Sequence, residues 1–422
     1  MRVYQFGDLS ITLNKKGKSR YDKASYPIRY GTYHEIIRGP FVFQLNLNGE
    51  IKHAQCRKGC SMEPGEWLKR TVGNDWVYYA SGGYNGAYGA VGEYYVPCFG
   101  YASNGILGGN PFEHGILEQT QRAFSETMDT LSLHPLHPPD SRFEDFCSAA
   151  LAVSPAGLES KARYFHGILD GRISVLPPDA RHVDYDVIPL NISKGCLYSC
   201  RFCTVKSGRG FSLLDREKVE KQIAELGQFY GKDIVNYNAL FLGQHDALAA
   251  GEEMVVWAAM KAYDAFGFAA AHMADPRLFL FGSADSFLAA SDGFFQAING
   301  LPYTTYINIG LESADDRTLD FIGKPLSSGK IKEAFARMEQ VNRMWPNVEI
   351  TANFLYGDSL PETHMDACLG LIRDQYPRSY SRGVVYFSPY GKIDCRKSMV
   401  SGFKIIKNQC RLPAFLYIIQ RL

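Results

Sequence analysis

The sequence lacks any apolar run that approaches the about 20 consecutive residues of a membrane-spanning helix. Residues 1–23 are polar and charged, without the apolar region of a secretory signal. The sequence therefore predicts a cytoplasmic protein that neither spans nor binds a membrane.

A strong excess of one charge is also lacking. The 45 Lys and Arg residues are matched by 44 Asp and Glu residues. A basic surface covering the whole molecule is therefore not expected, which disfavours nucleic-acid partners but leaves room for a local basic patch.

Cysteine is present ten times in the 422 residues. In a reducing cytoplasm, metal binding or catalysis is a more frequent role for cysteine than a disulfide. Cys56 and Cys60 form a C-x3-C pair without a third partner nearby, and Cys368, Cys395 and Cys410 are widely spaced. A second cluster on these scattered residues is one alternative, but we expect isolated buried thiols.

Composition divides the chain into four parts. Residues 1–130 form an accessory region of unknown role, in which the Gly- and Tyr-rich stretch 76–101 is expected to be irregular. Residues 131–182 contain a proline-rich linker and a helical lead-in. Residues 183–390 alternate strand-like and helix-like segments, and residues 391–422 form a C-terminal segment.

The alternating region predicts six strands separated by helices, which favours βαβ units with a parallel sheet. A curved, barrel-like sheet is the natural architecture, with the chemistry on loops at the carboxyl ends of the strands. The predicted strands are Val183–Ile192, Ala239–Leu242, Leu278–Phe281, Thr305–Leu311, Val348–Tyr356 and Val384–Phe387.

A dense cysteine motif follows the first predicted strand: Cys196, Cys200 and Cys203, in a C-x3-C-x2-C pattern. A cubane iron–sulfur cluster is normally held by four thiolates. Three cysteines on one short loop can hold three irons and leave the fourth open to a small molecule with an amine and a carboxylate. A zinc site is the alternative, but no fourth Cys or His stands at a usual zinc spacing.

With Phe202 inside it, this motif resembles the signature of the radical S-adenosylmethionine (radical SAM) superfamily, and the resemblance covers about residues 183–390. It implies an α/β fold class, a partial (β/α)6 TIM-like barrel of the radical SAM type, here with an N-terminal Gly/Tyr-rich extension. It also implies a [4Fe-4S] cluster on Cys196, Cys200 and Cys203, with S-adenosyl-L-methionine at the open iron and Phe202 against its adenine.

The resemblance extends to function. In such enzymes the reduced cluster passes one electron to SAM and releases a 5′-deoxyadenosyl radical, which abstracts hydrogen from the substrate. An electron donor such as flavodoxin or ferredoxin is then required. No signature of a fused cobalamin domain is found, and no catalytic residue can be named.

Further motifs in the family's order suggest cofactor-binding residues. Gly243, Gln244 and Asp246 follow the second strand, where the family carries a motif for the SAM amino group, although only Gly243 matches it directly. His245, in the same loop, is catalytic or, as a lone histidine more often is, structural. Ser283 follows the third strand and either contacts SAM or caps the next helix.

The second strongest resemblance is the fourth-strand segment containing Asn308 and Glu312, which is similar to methylthiotransferase, elongator-type and coproporphyrinogen-oxidase-like members. An acid that ends an apolar strand is expected to contact SAM or substrate. After the fifth strand, Gly357 would allow close approach of the backbone to the adenine.

Three functions remain open. The first is hydrogen abstraction from a small metabolite, peptide or cofactor precursor, which the near-neutral charge favours. The second is RNA modification, which predicts a basic face and salt-sensitive binding. The third is a non-catalytic electron-transfer iron–sulfur protein, against which the SAM-like loops count.

Overall fold

The computed structural model describes most of the chain. The described residues are 2–21, 29–57, 59, 65–80, 87–92, 95–96, 112, 115–133, 140–203, 210–374, 382–391 and 396–422. Within them, no helix is long and apolar enough to cross a membrane.

The N-terminal region forms an eight-stranded antiparallel sheet whose strands follow one another in chain order. The strands are β1 (Arg2–Phe6), β2 (Leu9–Lys16), β3 (Thr32–Arg38), β4 (Phe41–Leu45), β5 (Ile51–Cys56), β6 (Glu66–Arg70), β7 (Trp76–Ala80) and β8 (Tyr95–Val96). Four helices accompany this sheet or lead to the next one: α1 (Ala87–Val91), α2 (Ile116–Leu133), α3 (Ser141–Leu151) and α4 (Pro155–Ile168).

The Gly- and Tyr-rich stretch 76–101 is not irregular in its described part, and that expectation was wrong. It contains β7, α1 and β8, and β7 pairs along its length with β6. Aromatic side chains favour strands, but the frequent glycines hid this preference.

The second sheet has seven parallel strands in the order β17-β16-β15-β14-β13-β12-β9. They are β9 (Ile188–Leu190), β12 (Ala239–Leu242), β13 (Arg277–Gly282), β14 (Thr304–Glu312), β15 (Val348–Tyr356), β16 (Val385–Pro389) and β17 (Ala414–Leu416). A two-stranded ribbon, β10 (Ser193–Lys194) with β11 (Ser212–Leu213), flanks β9.

All six predicted strands are present, so the α/β fold class with its parallel sheet is confirmed. The first strand is shorter than predicted, because Asp184 and Tyr185 have positive φ values of 51° and 59° and interrupt the extended chain. The seventh strand, β17, comes from the C-terminal segment and was not predicted, since three residues give little periodic signal.

Helices cover the parallel sheet. They are α5 (Arg216–Tyr230), α6 (Gly251–Ala265), α7 (Ala284–Ala289), α8 (Asp292–Asn299), α9 (Asp316–Ile322), α10 (Ser328–Met344), α11 (Thr363–Leu369) and α12 (Arg396–Gln409). Asp215 caps α5 by accepting a hydrogen bond from Lys218 N. Helix α9 has Asp315 as its N-cap and ends at Gly323, which has a φ of 66°.

A buried group of charges joins the antiparallel sheet to the parallel sheet. Asp186, just before β9, pairs with Lys52 at 3.2 Å and with Lys69 at 2.7 Å. Arg70 pairs with Glu50 at 3.3 Å beside them. The two sheets therefore meet through paired charges as well as through apolar packing.

The cysteines outside the C-x3-C-x2-C motif differ in burial and in bonding. Cys368 is a free, fully buried thiol and Cys410 is free and partly buried. Cys56 is disulfide-bonded, so the expectation that cysteines here avoid disulfides was wrong for this residue. Cys60 and Cys395 lie outside the described residues.

Candidate active site

A cavity of about 490 Å³ lies at the carboxyl ends of the parallel strands. This volume falls within the range of small-molecule sites, about 300–1,000 Å³. Parallel strands deliver their carboxyl-terminal loops to one edge of the sheet, and these loops supply most of the lining. Of the residues singled out in the sequence, those on the lining are Cys196, Cys200, Phe202, Cys203, His245, Ser283 and Glu312.

The cysteine loop is anchored at both ends. Cys196 forms a β-bridge with Gly210, beyond the β10–β11 ribbon. Arg201 N donates to the Ile322 carbonyl at 3.0 Å, and the Arg201 guanidinium bonds carbonyl oxygens at the end of α9. A cation at a helix carboxyl end is favourable because the free carbonyls there carry partial negative charge.

The three thiols share one environment. Burial raises the pKa of Cys196 and of Cys200, while the positive charge of Lys324 lowers both. Among the described residues, no three His, Cys, Asp or Glu side chains converge closely enough to hold a single metal ion. Thiolates are the ligands that iron–sulfur clusters take, so the donor set on this loop fits three irons of a cubane cluster.

Tyr198, inside the cysteine loop, ties the loop to α7. Its hydroxyl donates to Asp285 Oδ2 at 2.5 Å and accepts from Asp285 N at 3.2 Å. Burial, together with the hydrogen bond to the Asp285 carboxylate, raises the pKa of Tyr198 well above its usual value. Lys330 pairs with the same carboxylate from α10.

Ser283 is both a helix cap and a cavity residue. Its side chain accepts from Ser286 N at 3.0 Å, in a reciprocal capping box at the start of α7. Asp246 supports this turn from the β12 loop, since its Oδ1 accepts from Ser283 N at 3.1 Å and from Ser286 Oγ at 2.7 Å. Asp246 itself is fully buried and is not on the cavity lining, and its Oδ2 has no partner among the described residues.

Glu312 has an unusual backbone. Its φ is 67°, and the β14 register shifts between Gly310 and Glu312. Its carboxylate pairs with Lys324 at 3.3 Å, and both side chains are nearly buried. Ser313, the next residue, hydrogen-bonds the buried His364 imidazole at 2.8 Å. A positive φ at a bulky residue is costly and persists where surrounding contacts enforce it, often at functional sites.

The remaining sequence-predicted residues do not line the cavity. Gly243 has a φ of 76°, and a Cβ there would lie 2.6 Å from Ala247 Cβ, so a glycine is required by the turn. Asn308 is fully buried and bonds Asn353, which is on the lining. A Cβ on Gly357 would lie 2.8 Å from the Tyr390 carbonyl oxygen.

Gln244 follows the Gly243 turn and is also absent from the lining. The place of a residue at the end of a predicted strand therefore indicated which loops form the cavity. It did not indicate the direction in which each side chain points.

Sequence reasoning missed several lining residues, among them Tyr198, Lys324, Asn353, Tyr390 and Tyr417. Tyr198 lies within the C-x3-C-x2-C motif and Lys324 follows Glu312, the end of the fourth strand, by twelve residues, so their positions near predicted site residues could have drawn attention to them. Nothing in the sequence near Tyr417 indicated that the C-terminal segment reaches the cavity.

Comparison with known proteins gives one sequence-model match. The model described as the radical SAM superfamily matches residues 190–362. Among curated proteins, no sequence matches this chain.

Three solved structures illustrate the structural likeness. The cobalamin-dependent enzyme OxsB, with aqua-cobalamin and S-adenosylmethionine bound, is 15% identical over 56% of this chain and 32% of its own, at a TM-score of 0.35. A radical SAM methyltransferase from Sphaerobacter thermophilus is 12% identical over 55% of this chain and 65% of its own, at a TM-score of 0.38. SuiB from Streptococcus suis is 7% identical over 83% of this chain and 70% of its own, at a TM-score of 0.37.

The chain thus spans about a third of the length of OxsB. These TM-scores are too low for the likeness to support a functional conclusion, so the assignment to a family depends on the sequence-model match and on the chain's own fold.

Proposed function

We propose that this chain cleaves SAM reductively and abstracts hydrogen from a substrate. Its residues 190–362 form a radical SAM domain, and enzymes of that family use a [4Fe-4S] cluster and S-adenosylmethionine. The observation that carries the proposal is that Cys196, Cys200 and Cys203 line one cavity at the carboxyl edge of the parallel sheet.

We assign Cys196, Cys200 and Cys203 as the cluster ligands. Burial raises the pKa of Cys196 and of Cys200, and the positive charge of Lys324 beside them partly offsets this effect. When bound, the cluster and SAM supply one-electron cleavage and a radical that can take a hydrogen atom. The chain's own residues fix the loop that carries the thiols, through Tyr198 and Arg201.

For SAM we assign direct contacts to Phe202, Ser283 and Glu312, which all line the cavity. The others in the proposed set are Gly243, Gln244, Asp246, Asn308 and Gly357. Gly243 and Gly357 would act through close backbone contacts, Asp246 and Asn308 would act through hydrogen bonds, and Gln244 is proposed only from its place after Gly243. Asp246 orders the Ser283 turn, and Asn308 holds Asn353 at the cavity edge.

We further propose a core domain over residues 183–390, preceded by the 1–130 accessory region and the 131–182 lead-in, and followed by the 391–422 segment. A small molecule or a peptide is the proposed substrate class. A flavodoxin- or ferredoxin-like donor would supply the electron, and a cytoplasmic location would keep the cluster reduced.

Anaerobic reconstitution followed by reduction in the presence of SAM tests the proposal. The wild type is expected to form 5′-deoxyadenosine, and Cys200→Ala is expected to form none. Cys410→Ala is the matched control, because this thiol is not on the cavity lining, and it should retain product formation.

Other results would point elsewhere. An intact, reducible cluster without 5′-deoxyadenosine would identify an electron-transfer protein instead. Salt-sensitive RNA binding that stimulates SAM cleavage would identify the RNA-modifying alternative. Zinc in place of iron, bound by the same cysteines, would reject the proposal.

A further inference from the structure

The cavity has a second wall that lies outside the residues matched by the family model. Val175, Tyr417 and Ile419 form it, and they belong to one apolar cluster with Val384 and Tyr386. All three are apolar or aromatic side chains. The Tyr417 hydroxyl is already used, since it donates to the Leu176 carbonyl oxygen. We call Val175, Tyr417 and Ile419 the apolar wall; it presents hydrocarbon and aromatic surface to the cavity.

The backbone behind the apolar wall is fixed. β17 pairs with β16, and residues 414–422 continue alongside residues 173–176. Leu176 N donates to the Gln420 carbonyl oxygen at 2.8 Å. Gln420 is only 2% exposed. A large partner could not approach through this side without breaking buried backbone hydrogen bonds.

The described residues on the cavity lining carry no unpaired charge. Glu312 and Lys324 pair with one another, and burial lowers the pKa of His245, which leaves its imidazole neutral near pH 7. Among the described lining residues there is no other Lys, Arg, Asp or Glu. Against this described part of the lining, a phosphate or carboxylate on a substrate would be buried without a free cation, which is costly.

From these observations we infer that the site takes a small, uncharged, largely apolar substrate, whose hydrocarbon or aromatic part packs on the apolar wall. The cavity volume, about 490 Å³, must be shared with SAM, which limits the substrate to metabolite size. Ser388 is a hydroxyl on the same cavity lining and would orient one polar group of such a molecule. The inference rests on the proposed function for its chemistry, but the binding that it predicts requires no SAM cleavage.

Calorimetric titration of the reconstituted, oxidised protein with SAM tests the inference. The probes are indole, which is neutral, and indole-3-acetate, which adds a carboxylate to the same ring system. Indole is expected to bind, and indole-3-acetate to bind about tenfold more weakly or worse, because its charge finds no partner. Ile419→Asp should abolish indole binding, whereas Ile405→Asp, at a position 63% exposed on α12, should leave it unchanged.

A variant that should gain binding excludes misfolding as the explanation for the loss of indole binding. Val175→Lys places a cation in the apolar wall and should reverse the preference, so that indole-3-acetate binds more tightly than indole. Equal or tighter binding of indole-3-acetate to the wild type would overturn the inference. So would tight binding of a single-stranded RNA probe or of an acidic peptide, or indole binding that survives Ile419→Asp. Absence of 5′-deoxyadenosine in the separate cleavage assay would reject the proposed function without changing these binding results.

Discussion

At the scale of single residues, the Glu312–Lys324 pair is the most constrained feature of the cavity. The side chains are only 11% and 4% exposed, and the Glu312 backbone has a positive φ. A buried ion pair adds little net stability by itself, but removal of one partner leaves the other charge without compensation. The two residues should therefore behave as a unit.

Lys324→Met tests this coupling. We expect a loss of about 3–5 kcal/mol in the free energy of unfolding, because a buried carboxylate would lose its partner. The double variant Glu312→Gln/Lys324→Met should recover most of the loss, and Lys332→Met, at an exposed position of α10, should change little. Urea denaturation measures all three. A double variant as unstable as the single one would show that the pair is not coupled.

Residue identity could be predicted from the sequence at this site only where the chemistry is distinctive. Three closely spaced cysteines and an acid that ends an apolar strand drew attention to positions that do line the cavity. Asp246 and Asn308 were singled out by the same strand-end logic, yet both side chains point into buried hydrogen-bond networks. Sequence spacing gives the end of a strand, but the packing of neighbouring loops decides which way its side chains point.

At the scale of elements, the cysteine loop depends on α7 for its position. Tyr198→Phe removes the hydrogen bond to the Asp285 carboxylate. Such a bond contributes about 1.5 kcal/mol, so we expect faster amide hydrogen exchange in residues 196–203, with little change in global stability. Tyr164→Phe, at a position 49% exposed on α4, is the matched control. Unchanged exchange in the loop would show that the Cys196–Gly210 bridge and Arg201 anchor it without Tyr198.

Elements were predictable in proportion to their length and regularity. The six strands of the parallel sheet carry apolar runs separated by amphipathic helices, and that alternation is visible in one sequence. The antiparallel sheet was missed although its strands contain no glycine and β2, with eight residues, is longer than β12, with four. The 76–101 stretch lacks a clear alternation of apolar and polar residues that would have marked β7 and β8. β17 was missed because its pairing with β16 depends on a contact that is distant in the sequence.

At the scale of the whole molecule, buried charges decide how the two sheets hold together. Lys52 and Lys69 lie in the antiparallel sheet. Asp186 lies just before β9 of the parallel sheet, and Asp233 lies in the short helical segment that follows α5. Burial alone would raise the pKa of Asp186, but the two lysines lower it to about 2. Burial raises the pKa of Asp233 to about 6, because it has less compensation. The two carboxyls therefore affect stability in opposite directions as the pH changes.

Asp233→Asn separates these effects. A carboxyl whose pKa is raised on folding stabilises the fold below its unfolded pKa, near 4, and loses that contribution as the pH rises through about 6. The variant keeps the Oδ1 acceptor for Leu47 N and for the Asn236 amide but carries no charge. It should exceed the wild type by about 2 kcal/mol in the free energy of unfolding near pH 8 and match it below about pH 4. Asp264→Asn, at an exposed position, should leave the free energy of unfolding unchanged at both pH values. Urea denaturation as a function of pH measures these differences. If the variant is less stable than the wild type near pH 8, the Asp233 charge stabilises the contact between the two sheets through Lys52.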